Sequence, residues 1–171
     1  MNRFVTHTDP VIAAQHQCDK HLRKMIVEEA QMLSTALREN QSPFVTPDLY
    51  KSAHKQHPCT LWAQASYANW MWAYEHFIGL CDEYDYRFNS PHRTKDVMRK
   101  VFTSIVNNDG FMQSWKKIKL TAHPQCFGDW PHKTSESWPV MAYRSYIRDY
   151  KASVMKSMQW TRRNPPIWFT S

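Results

Sequence analysis

Glycine is scarce in this chain: 171 residues hold only Gly79, Gly110 and Gly128, far apart from one another. A phosphate-cradling Walker loop or a dinucleotide-binding turn needs clustered glycines for close backbone approach, so both are excluded. Cysteine is sparse and scattered. Cys18, Cys59, Cys81 and Cys126 form no C-x-x-C pair, and that zinc signature is missing. His54-x-x-His57 beside Cys59 places ligand-type residues close together, but it reads as a loop of solvated histidines. No metal and no cofactor is expected. No apolar run reaches the length of a membrane span and no signal peptide is visible, so the expectation is a cytoplasmic protein with no membrane partner.

Acidic charge is in deficit. Fifteen Asp and Glu face 22 Lys and Arg, which leaves +7 before the nine histidines are considered. Such a surplus favours polyanionic partners, since each cation placed near a phosphate releases a condensed counterion. Aromatics are abundant by contrast, with eight each of Trp, Tyr and Phe. That is enough to fill a core and still line a site.

No stretch alternates as a strand, and neither an internal repeat nor a linker divides the chain. The expectation is an all-α fold: one helical domain over 1–171 with long ordered loops, present as a monomer. Spacings of three and four among Val11, Ala14, Cys18, Leu22, Met25, Ile26, Leu33 and Leu37 predict a helix over about 10–38, with Pro10 in its first turn. A second helix is expected over about 59–88, apolar around much of its circumference and therefore central. A third is expected over 94–106, stopped by Asn107-Asn108-Asp109-Gly110, and a last over 140–160. The tail 161–171 is aromatic and basic.

Three constellations suit chemistry. His21, Lys24, Glu28 and Gln31 fall at i, i+3, i+7 and i+10, one polar stripe along the first helix. A carboxylate beside a lysine and a histidine can move protons near neutral pH, whereas the plainer reading is a solvated face. Glu29 adjoins Glu28, and spacing alone leaves open which one faces a pocket. His57 either donates to a phosphate or base edge or caps the helix it precedes. Arg144, Arg148 and Lys151 share a helix face, Arg162 and Arg163 follow, and Tyr143, Tyr146, Tyr150, Trp160, Trp168 and Phe169 are interleaved with them. Cations track a phosphate backbone while aromatics stack on bases; a core-facing aromatic stripe with a solvated basic face is the alternative.

Taken in order, several motifs resemble the phage-type pyrimidine-dimer DNA glycosylases, also called the endonuclease V type. They are Met1-Asn2-Arg3-Phe4, Asp19-Lys20-His21-Leu22 with Glu28 seven residues after the histidine, Pro124-Gln125-Cys126-Phe127-Gly128-Asp129-Trp130, and Pro166-Ile167-Trp168-Phe169. The resemblance spans nearly the whole chain. It implies a single helical domain that excises a damaged or modified base from double-stranded DNA and cleaves the abasic site, a bacteriophage-type repair activity in the bacterial host cytoplasm. In that family the N-terminal amine attacks the sugar C1′ to form a Schiff base, and the helix glutamate stabilises the charged sugar. The implied catalytic residues are Met1, Glu28 and His21. Arg3, Lys24, His57, Arg144, Arg148, Lys151, Arg162, Arg163, Trp168 and Phe169 are the implied DNA contacts. Two features depart from the family: Asn2 disfavours removal of Met1, and Val27 and Gln31 stand where the family has arginines beside the glutamate. The rival expectations are a catalytically silent DNA-binding module and a nucleotide hydrolase using Glu28 and His57.

Overall fold

The computed structural model describes residues 2–128 and 130–170. The fold is all-α, with no strand among the described residues. The elements are α1 (Pro10–Gln15), α2 (Asp19–Glu39), α3 (Pro58–Ala65), α4 (Tyr67–Phe88), α5 (Arg93–Val106) and α6 (Val140–Ser145). The last continues through a π-helical stretch, Tyr146–Lys151, into the short α7 (Ala152–Val154), and α8 (Ile167–Thr170) ends the tail. No helix is long and apolar enough to cross a membrane.

Side-chain caps start helices α1, α3, α4 and α5. Asp9 caps α1, its carboxylate accepting the backbone N–H groups of Val11 and Ile12 at 2.8 and 3.0 Å, with Pro10 as first helical residue. α4 ends at Asn89, whose left-handed backbone (φ 45°) stops the helix. The core lies where α1, α2 and α5 pack on α4, around Leu22, Ile26, Leu33, Trp70, Phe77 and Phe102. At Gly79 α1 comes so near that a Cβ would stand 3.0 Å from the Val11 Cα and 3.1 Å from the Ala14 Cβ.

Three expected boundaries are corrected. The helix over 10–38 is two helices, because the chain turns extended at Cys18 (ψ 161°). Carbonyls exposed by that break are met by distant side chains: the buried Arg87 donates to Gln15 O and Gln17 O, and the Trp160 indole N–H to His16 O. The helix over 59–88 is likewise split at Ser66, which is fully extended (φ −158°, ψ 161°) and caps α4 through its hydroxyl at Asn69 N. There Tyr67 N and Ala68 N donate to Lys117 O and Ile118 O instead of continuing α3. The helix expected to reach 160 stops at Val154.

Candidate active site

The site is organised by the start of the chain. Residues 2–6 are all buried, although Asn2, Arg3 and Thr6 are polar, so each must find a partner inside. Asn2 N–H donates to Glu28 Oε2 at 3.3 Å, and its side-chain amide donates to Cys126 O at 2.8 Å. Its Oδ1 lies 3.1 Å from the Tyr143 hydroxyl, which also accepts the Cys126 N–H. Asn2 therefore ties together α2, α6 and the loop bearing Cys126.

Neighbouring glutamates take opposite duties. Glu29 is fully enclosed and pairs with Arg3, itself 1% exposed, at 2.8 Å from Nε and 2.6 Å from Nη2. Burial pushes the Glu29 carboxyl upward, but the Arg3 guanidinium and the His76 ring outweigh it and hold Glu29 below the usual carboxylate range. Arg3 also reaches Cys59 O at 3.4 Å and lies over the Trp62 ring. Glu28 points the other way, to Asn2 N and to the largely exposed Lys24 ammonium at 3.1 Å. Of the two, Glu28 is the carboxylate at the surface-accessible side.

His21 stacks on Phe4, ring centroids 4.6 Å apart. Burial, with Lys151 and Lys24 adding to it, pushes His21 down to about 4, so the ring is neutral at pH 7. A neutral imidazole there can accept a proton or position Phe4, but it is not a reserve of imidazolium. His57 caps α3, its Nδ1 accepting Cys59 N–H at 3.2 Å. The nucleophile expected at Met1 lies outside the described residues, as does Asp129.

Beside Cys126 opens a cavity of about 450 Å³ lined by Phe127, Gly128, Trp130, Tyr146 and Tyr150. Tyr146 and Tyr150 stack, 5.4 Å apart and 19° from parallel, and belong to the π-helical stretch, a rare geometry that recurs at functional sites. Lys151 stands 5.5 Å over the Tyr146 ring. Sequence reasoning noted these tyrosines but not the cavity, and it missed Asn2, Cys126 and Tyr143 as organisers. Only the interleaving of tyrosine with basic residues hinted at it.

The remaining predicted contacts divide. Arg144 donates to Thr6 O at 2.9 Å and sits over Trp168, and with Arg163, His7 and His16 it lines a second groove. Arg163 is held by both Glu83 oxygens at 2.6 and 2.7 Å, and Arg162 donates to Tyr86 O. Arg148 pairs with Asp149 at the surface. Trp168 and Phe169 pack the tail onto the bundle, against His16 and Trp160. Compared with protein-family models, with curated proteins and with solved structures, the chain gave no match in any of the three.

Proposed function

We propose that this protein is a DNA base-excision glycosylase with abasic-site lyase activity, acting on a damaged or modified base in double-stranded DNA. The observation that carries the reading is the Asn2 N–H to Glu28 Oε2 hydrogen bond, which brings the beginning of the chain onto the helix glutamate. An α-amine has an unperturbed pKa of about 8, so a useful fraction is neutral at pH 7 and can attack C1′. As its lone pair forms the C1′–N bond, the glycosidic bond breaks and its electrons leave with the base. The C1′–O4′ bond then opens as the ring oxygen takes a proton, giving an iminium, and loss of a C2′ proton expels the 3′ phosphate. Glu28 is suited to balance positive charge on the sugar and to move the proton that elimination requires.

The aromatic cavity next to Cys126 suits an extruded base. A flipped nucleotide loses its stacking in the duplex, and planar side chains such as Trp130 and Tyr150 offer a replacement. Lys151 and Arg148 on the adjoining stretch suit flanking phosphates.

Borohydride reduction of the protein mixed with abasic duplex tests the reading. One covalent adduct at the N-terminal amine is expected, abolished when that amine is blocked. For Glu28→Gln, trapping persists while strand cleavage falls about 100-fold or more. A protein that binds duplex but yields no adduct refutes the lyase. That outcome would favour the second reading, a DNA-binding module without chemistry, which Val27 and Gln31 in place of the family's arginines support.

A further inference from the structure

The fold brings Cys126 to the start of α3, where His57 and Cys59 already stand two residues apart. One nitrogen or sulfur ligand atom from each of the three lies within 4.8 Å of the others, and the two sulfurs are 3.4 Å apart. No sequence motif links Cys126 to the pair, since 67 residues separate it from Cys59. We propose that His57, Cys59 and Cys126 form a binding site for one zinc-class divalent cation.

Geometry is the first support. With Zn–S bonds of about 2.3 Å, two thiolates on a tetrahedral ion lie about 3.8 Å apart, so the observed pair needs to open by only a few tenths of an ångström. The arms are also held in place. Cys126 is anchored on both sides of its α-carbon, its N–H donating to Tyr143 and its carbonyl accepting from Asn2. Cys59 is fixed within α3, and ligand positions held by the surrounding hydrogen bonds lower the ordering cost of metal uptake. Ligation through His57 Nδ1 exchanges its hydrogen bond from Cys59 N–H for a metal bond.

Charge is the second support. Two thiol protons pass to solvent as two S–Zn bonds form, so the dication and two thiolates sum to zero. The nearby Arg3 guanidinium, which reaches Cys59 O, is already matched by Glu29, and the centre forms beside a neutral pair. Three protein ligands leave a fourth position for water, the pattern of an open rather than a closed site. The proposal does not rest on the glycosylase reading, although Cys126 also borders the aromatic cavity.

The test uses the full chain, reduced and stripped with a chelator, then titrated with Co²⁺ as spectroscopic probe. One equivalent should bind with tetrahedral ligand-field absorption and thiolate-to-cobalt charge transfer, and Zn²⁺ should displace it. Zn²⁺ should also raise Tm in a concentration-dependent way. Cys126→Ser and His57→Ala should each weaken binding at least about tenfold with helicity retained by circular dichroism, and His54→Ala should leave it unchanged. If Cys126→Ser fails to fold, His57→Ala alone decides. Equal affinity in His57→Ala, a cobalt spectrum without charge transfer, or a Cys59–Cys126 disulfide whose reduction restores no metal uptake would overturn the proposal.

Discussion

Replacing Glu29 by Gln keeps the shape of the side chain and removes only its charge, leaving the Arg3 guanidinium buried opposite a neutral amide. Arg3 is 1% exposed and Glu29 0%, with contacts of 2.6 and 2.8 Å between them, so water cannot take over the lost interaction. Breaking a buried pair by removing one partner costs about 3–5 kcal/mol. In a domain of this length each kcal/mol moves Tm by about 2–4 °C, so Glu29→Gln should lower it by about 10 °C. Glu28→Gln is the contrast. Its partner Lys24 is largely exposed and the Gln carbonyl still accepts Asn2 N–H, so the expected cost is about 1 kcal/mol or less. Urea denaturation with matched m-values measures both. The double variant Arg3→Met, Glu29→Met should recover much of the loss, because removing both charges abolishes the desolvation cost. Equal losses for Glu28→Gln and Glu29→Gln would refute the division of labour between these neighbours.

Acid should destabilise the protein through His21 and His123, which burial pushes down to about 4 and about 2. Both are neutral when folded, while the unfolded chain takes up protons near pH 6.5, so stability falls as pH drops below 6.5 and continues to fall to about 4 for His21 and lower for His123. Each contributes about 1.4 kcal/mol per pH unit in that window; urea unfolding at pH 7 and 5 checks it, and His21→Phe should flatten the slope by about one proton. Gly79→Val should cost about 1–3 kcal/mol or more, since its Cβ would press on α1 at 3.0 Å, and a thermal shift of under 2 °C would contradict that crossing.

How much of this was legible in the sequence depends on the range of the forces involved. Apolar spacing marked α2 and α5, and Pro10 marked the first turn of α1, because neighbours within one turn decide both. The absence of alternation gave the all-α class for the same reason. The breaks at Cys18 and Ser66 were not legible. The carbonyls at the first are satisfied by Arg87 and Trp160, and amides at the second by Lys117 and Ile118, all distant in sequence. Glu28 and Glu29 are indistinguishable by composition. They point about 100° apart on a helix, and only the burial of Arg3 decides which one is enclosed. The polar stripe of His21, Lys24 and Glu28 was visible, whereas the aromatic cavity and the meeting of Cys126 with His57 and Cys59 exist only once the loop over 119–139 is anchored by Tyr143. Periodicity is a property of adjacent turns. Convergence of side chains from separate segments is a property of packing, and the tertiary structure alone decided it.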